Sequence, residues 1–135
     1  MTQPSLYDRV GGMPFFEQLV DRFYDGIRAD DLVGPMYGHD PADPDMASPR
    51  RRLALFLVQY WGGPTTYLAE RGHPRLRARH SPFAIGIAAR DHWLAHMRAA
   101  IDASDAGEVE RAELHTYMTL AADTVRNVEE PAVDA

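Results

Sequence analysis

His80 closes a short basic run, Arg71-Gly72-His73-Pro74-Arg75-Leu76-Arg77-Ala78-Arg79-His80, and Ser81-Pro82-Phe83 then opens a strongly apolar stretch. Three kinds of chemistry meet there. A neutral imidazole nitrogen is a ligand for iron. Guanidinium groups grip carboxylates through two parallel hydrogen bonds. Aromatic and aliphatic side chains wall a flat apolar surface. Haem asks for all three at once, for its iron, its propionates and its porphyrin face, and no other stretch of the chain combines them. The plainer alternative is a histidine at a helix end, favoured there by the helix dipole. The arginine clustering is partly background, because all 14 basic residues of the chain are arginine.

The other histidines and aromatics carry weaker signals. His73 is a competing axial ligand, but it precedes Pro74, which favours extended or turn backbone and suits the propionate side better. His92 and His96 have the i, i+4 spacing of a metal pair on a helix. The run His92-Trp93-Leu94-Ala95-His96 nonetheless lacks the glutamate that follows the first histidine of the zinc-protease motif. With Trp93 facing inward, at least one of the pair turns to solvent. His39 and His115 read as surface residues. Tyr24 and Trp93, at helical spacing, read first as core, yet a buried hydroxyl and a buried indole N–H both need acceptors. Arg50-Arg51-Arg52 is mostly a solvated helix face, with only Arg52, beside Leu53, placed to reach a cofactor edge.

These residues must be held by helices. Leu6-Tyr7 opens a short helical turn that Gly11-Gly12 ends. Pro14 sits where a first helical residue tolerates proline, and Phe16, Leu19, Val20, Phe23, Tyr24 and Ile27 recur at helical spacing, which predicts a helix over 14–29. Gly34-Pro35 breaks it, and residues 39–47 read as a proline-bearing acidic loop. Ser48-Pro49 is the expected N-cap of the next helix, with Leu53, Phe56, Leu57, Tyr60 and Trp61 on one side and Gly62-Gly63-Pro64 as its stop. Residues 64–80 are mostly irregular, with weak helix near 66–70 and 75–80. Ser81-Pro82 repeats the capping pattern before a helix over 83–102, bent at Gly86, which aligns Trp93, Met97 and Ile101. A last helix over 108–127 carries Leu114, Tyr117, Ala121 and Val125. No strand or repeat is expected; the fold class is all-α.

Composition narrows the function classes. With 135 residues the chain is long enough for one domain and one core. A net charge of −6 argues against general affinity for nucleic acid or anionic membranes. Without cysteine there is no disulfide, thiolate metal site or cysteine nucleophile, which fits a cytoplasmic location. The first residues lack a basic segment followed by an apolar one, so no signal peptide is expected, and no apolar run approaches membrane-spanning length.

At this point the motifs converge. Leu57-Val58-Gln59-Tyr60-Trp61-Gly62-Gly63-Pro64, Thr66-Tyr67 and Arg71 through Phe83 together resemble the group II truncated haemoglobins. Leu6-Tyr7-Asp8, Val10-Gly11-Gly12, Arg22-Phe23-Tyr24 and Arg90-Asp91-His92-Trp93-Leu94 extend the likeness over residues 5–128. The resemblance implies a single truncated globin domain over 1–135, with residues 129–135 a disordered tail, and a two-over-two helical sandwich around haem b. It implies His80 as the proximal iron ligand, Tyr24, Tyr37 and Trp93 as distal hydrogen-bonding residues, and Leu53 as an apolar distal neighbour. Arg52, Tyr67, Arg77 and Arg79 fall where the family places propionate partners. Phe83 and Ile85 fall on the proximal wall, with Leu76 and Met97 completing the expected contacts. The chain departs from the family between Gly38 and Ser48, a loop a few residues longer with extra prolines, and counting back one turn from Leu53 puts Pro49 at the gate position, where the family tends to hold a small residue.

Two functional classes follow from the resemblance. One is reversible binding of O₂ and other diatomic ligands, for storage, transport or sensing. The other is a haem redox enzyme of the peroxidase or NO dioxygenase kind, which would take peroxide or NO and require a reductase. A helical regulator without haem is a distant third. A homodimer is compatible with each, and neither a nucleic acid nor a membrane partner is expected. Each hydrogen bond to an anionic ligand contributes about 1.5–3 kcal/mol, so two distal donors would slow oxygen escape by roughly two to four decades.

Overall fold

Residues 4–37 and 40–128 are described by the structure, a computed structural model of the chain. His39 and the acidic tail 129–135 lie outside the described residues. Among those described, seven α-helices and one 3₁₀ turn form, and no strand. The helices are α1 (Leu6–Arg9), α2 (Met13–Arg28), α3 (Ala47–Tyr60), α4 (Thr66–Arg71), α5 (Leu76–His80), α6 (Ile87–Asp102) and α7 (Glu108–Thr124), with the 3₁₀ turn Gly34–Tyr37 between α2 and α3. No helix among the described residues is long and apolar enough to cross a membrane.

Helix α2 organises the core. Its apolar stripe, Phe16, Leu19, Val20, Phe23, Tyr24 and Ile27, is buried throughout, each large side chain contributing about 1.5–3 kcal/mol when taken out of water. The helix packs on α3 and on α6, and α6 packs on α7, which gives the two-over-two arrangement. Close approach at the α2–α6 crossing requires glycine: a Cβ on Gly26 would lie 2.5 Å from His96 Nδ1. The Gly62-Gly63 pair ends α3 for a similar reason. Gly62 has φ 101°, and a Cβ on Gly63 would lie 2.6 Å from Val58 Cγ1 and 2.7 Å from the Tyr7 ring. The Tyr7 N–H also donates to the Trp61 carbonyl at 3.1 Å, pinning α1 against this turn.

Two helix starts differ from the sequence expectation. Ser48 is not the cap of α3. The helix begins at Ala47, and the capping group is the Asp43 carboxylate, which accepts from the N–H groups of Ala47 and Ser48 at 2.9 Å each. Ser81-Pro82 likewise starts no helix. Ser81 Oγ donates back to the Ala78 carbonyl at 2.8 Å, closing α5, and α6 begins only at Ile87, after its N-cap Gly86. The intervening backbone is held by Asn127 from beyond α7: its Oδ1 accepts from Ile85 N–H at 2.8 Å, and its Nδ2 donates to the carbonyls of Phe83 at 2.7 Å and His80 at 3.2 Å. A non-helical segment with its polar groups satisfied this way has no need of a helix ladder. Helix α7 itself stops at Thr124, short of the expected 127.

Candidate functional site

Between α2, α3, α5, α6 and α7 lies a cavity of about 540 Å³. Leu53, Phe56 and Leu57 of α3 wall it on one side, and Met118 and Ala122 of α7, with Val125 just past its end, on another. Two adjacent rows of residues on α7 and its end face inward. Leu114, Met118 and Ala122 are buried, while Tyr117, Ala121 and Val125 also reach the cavity.

His80 lines this cavity from the last residue of α5. Its Nδ1 lies 2.6 Å from the Leu76 carbonyl. A carbonyl can only accept, so Nδ1 carries the proton there, and the Nε2 lone pair is left for a metal or another donor. Phe83, 41% exposed, and the buried Ile85 follow it along the same wall.

Tyr24, Tyr37 and Trp93 come together from three elements, α2, the 3₁₀ turn and α6, and all three line the cavity. The Tyr24 and Tyr37 rings meet edge to face, with centroids 5.3 Å apart. Burial pushes the Tyr24 hydroxyl far above its ordinary pKa, the nearby Tyr37 adds to this, and the phenol stays a neutral donor. Burial likewise raises Tyr37, against the opposing effect of hydrogen bonds received from Tyr24 and from the Trp93 indole. The polar ends of the three side chains therefore stand close together at the cavity wall, with the Tyr37 hydroxyl turned inward although the residue as a whole is 37% exposed.

The arginines divide. Arg52 and Arg79 line the cavity, as does Tyr67, whose ring lies 5.8 Å from the Arg79 guanidinium carbon. Arg79 also braces the loop before α5, donating to the carbonyls of Pro74 at 2.6 Å and Arg71 at 2.8 Å. Arg77, expected among the cofactor contacts, does not line the cavity. It turns to the end of α7 and donates to the Thr124 carbonyl at 2.8 Å. Met97 is also elsewhere: it is fully buried in the core, one turn beyond Trp93 and away from the cavity wall. Leu76, Leu53 and Pro49 do line it. Sequence reasoning passed over Arg71, Arg90, Met36 and Tyr117, which line it as well. Arg71 belongs to the same basic run as Arg79, so a signal for it was present.

The remaining histidines have other partners. His73 Nδ1 accepts from Arg75 N–H at 3.2 Å. His115 Nε2 contacts Asp102 at 2.8 Å. His92 and His96 both hold Asp30, at 3.0 Å and 2.7 Å.

A flat apolar group with acidic edges fits this cavity: apolar walls from α3 and α7, one histidine with a free Nε2, guanidinium groups of Arg52 and Arg79, and a cluster of hydroxyl and indole donors. A model of the family described as bacterial-like globin matches residues 5–127. The chain belongs to this family, as a truncated haemoglobin. It is 42% identical over 91 residues to the group 2 truncated haemoglobin YjbI of Bacillus subtilis, a stretch that covers 67% of this chain and 65% of that relative. The thermostable haemoglobin of the actinobacterium Thermobifida fusca superposes with a TM-score of 0.87 at 46% identity, over 93% of this chain and 98% of the other. The group II truncated haemoglobin of Bacillus anthracis gives a TM-score of 0.88 at 31% identity, over 98% of each. Membership of a globin family implies a haem cofactor and small diatomic ligands such as O₂.

Proposed function

We propose that this protein binds haem b through His80 and holds O₂ reversibly under a distal network of Tyr24, Tyr37 and Trp93. The observation that carries the reading is the His80 Nδ1 contact with the Leu76 carbonyl, which fixes the tautomer and leaves Nε2 as the ligating atom. Haem, when bound, supplies an iron that takes a diatomic ligand reversibly. The chain's own residues then decide orientation and retention. Arg52 and Arg79 hold carboxylates at the cavity edge. Leu53, Phe56 and Phe83 exclude water from the apolar faces.

On the distal side, Tyr37, which the Tyr24 hydroxyl and the Trp93 indole approach, would offer its own proton to a ligand. Redirecting the Trp93 N–H or the Tyr24 hydroxyl supplies a second donor. Donors fixed in place before the ligand arrives stabilise negative charge on it without reorganising water. Such retention supports sensing, scavenging or redox use more than bulk oxygen transport or storage. Peroxidase or NO dioxygenase turnover, with a reductase as electron source, is the second reading, favoured by the hydroxyl and indole donors gathered at the cavity wall. The visible spectrum of haem-reconstituted protein is the first test. A Soret band that shifts on reduction and again with O₂ or CO is expected. Failure to take up haem stoichiometrically would remove the reading.

A further inference from the structure

Charge is spread unevenly along this chain. Residues 71–90 contain five arginines and no carboxylate, in a chain of net charge −6. The segment therefore carries +5 and the remainder −11. Arg9, Arg28, Arg50, Arg51, Arg90 and Arg126 each pair with a carboxylate. Arg71, Arg75 and Arg77 are exposed and have no such partner among the described residues. The carbonyl that Arg77 holds is neutral and leaves its charge uncompensated. With Arg79 given to a cofactor carboxylate in the reading above, these three remain as free positive charge.

They stand where the cavity reaches the surface. Arg71 lines the cavity, as does Phe83, which follows His80 along one wall and is itself 41% exposed. Arg77 shares a shallow depression with Val128, an exposed side chain whose N–H donates to the Ile85 carbonyl two residues from Phe83. Arg75, at the N-cap of α5, has φ 47° and ψ 59°. Glycine adopts that left-handed conformation freely and an L side chain does not. The position therefore carries a guanidinium against its backbone preference. The result is a small apolar centre flanked by unpaired positive charge, beside the residue that faces the cofactor.

We propose that this face, with Arg71, Arg75 and Arg77 around Phe83, docks a small acidic protein that carries a one-electron flavin or iron–sulfur centre and reduces the cofactor in the cavity. This rests on the haem reading above. In each encounter the carrier gives up one electron, the ferric iron takes it, and no bond forms or breaks in either protein. Opposite charges speed and orient such an encounter, and the small apolar centre keeps the contact area in the range of short-lived redox complexes. An anionic membrane is the competing occupant of a positive patch. An extended anionic surface, however, also meets the −11 carried by the rest of the molecule. Screening over about 8 Å at physiological salt confines attraction to the scale of the patch, which suits a small protein.

The probe is a flavodoxin, oxidised for binding and as its anionic hydroquinone for kinetics, where it becomes the neutral semiquinone without gaining or losing a proton. Amide NMR shifts of the ferrous, CO-bound holoprotein titrated with oxidised flavodoxin should cluster on residues 71–83. In anaerobic stopped flow, reduction of ferric holoprotein by the hydroquinone should slow roughly tenfold between about 10 and about 300 mM salt. Arg75→Glu should slow it by a similar factor at low salt and weaken the NMR shifts. Arg75→Gly should slow it less, without loss of thermal stability. Arg22→Glu, the same charge change at an exposed site on α2, should leave it at the parent rate. All variants should match the parent when dithionite is the reductant at high salt. A rate indifferent to salt, NMR shifts elsewhere, or equal effects of Arg75→Glu and Arg22→Glu would overturn the proposal and leave the haem reading standing. Cosedimentation with phosphatidylglycerol vesicles that Arg75→Glu abolishes would assign the face to a membrane and overturn it too. Only a protein that fails to bind haem overturns both.

Discussion

At the scale of single residues, the distal cluster is more interdependent than its spacing suggests. Tyr24 and Trp93 come from different helices yet both approach the oxygen of Tyr37. Removing one donor leaves Tyr37 and the other to rearrange around the ligand. Trp93→Phe keeps most of the apolar volume and removes the N–H, so oxygen release should accelerate, by roughly tenfold for one hydrogen bond to a charged acceptor. Tyr24→Phe should act in the same direction but more weakly, and the double variant should fall short of the product of the single effects. Stopped-flow oxygen dissociation checks all three, and strictly multiplicative effects would deny the shared acceptor. The position of Tyr24, Trp93 and His80 at the cavity was legible because residue type, helical spacing and family resemblance agreed. Arg77 was not, although a geometric warning existed. Residues two apart on a helix do not face each other, so Arg77 and Arg79 could not both serve one cavity edge. Tyr117 stood in the expected register of the last helix, but nothing local distinguishes a core tyrosine from a cavity tyrosine.

At the scale of elements, single polar side chains fix the segments that carry the site. Asn127 holds the stretch from His80 to Ile85 by three hydrogen bonds. Asn127→Ala should speed haem transfer to an apo-globin acceptor several-fold while leaving helix content by circular dichroism unchanged. Parent-like haem transfer would show that the loop holds itself. Asp30 plays the corresponding part on the distal side. It is 8% exposed at its side chain, accepts from Leu32 and Val33 N–H at 2.8 and 3.1 Å, and is gripped by His92 and His96 of the helix that carries Trp93. Burial works against its charge, but hydrogen bonds from His96, Val33, Leu32 and His92 outweigh it and hold the carboxyl well below its ordinary value of 3.8. A depressed carboxyl contributes stability that is complete above its unfolded-state value and is lost as pH falls towards the folded-state value. Urea melts should therefore show the parent losing its advantage over Asp30→Asn as pH drops below about 3.8. An advantage constant through that window would contradict the ion-pairing account. Neither clamp was legible, because Asn127 acts 42 residues away from Ile85 and Asp30 acts 66 from His96. Local patterns such as Ser48-Pro49 and Ser81-Pro82 imitate caps whose real partners lie elsewhere.

At the scale of the molecule, helical periodicity identified the four long helices, whereas their pairing came from the family resemblance, since amphipathic stripes alone do not say which faces meet. The stack of α2 and α3 with α6 and α7 leaves a cavity of about 540 Å³ lined largely by apolar side chains. Apolar walls facing water forgo burial that haem restores, so folding and haem binding are linked. The apoprotein should melt at a lower temperature than the holoprotein. Free haem at a hundred times its dissociation constant should add about 2.7 kcal/mol. Thermal melts across a haem titration check this, and a melting temperature indifferent to haem would separate the cavity from the cofactor.

The central claim is that His80 Nε2, freed by the Leu76 carbonyl, ligates the iron. Resonance Raman spectra of the ferrous, ligand-free protein test it most directly. The account predicts an iron–histidine stretching band in the parent that disappears in His80→Gly and returns, shifted, when imidazole is added. An unchanged band in His80→Gly without imidazole would contradict it.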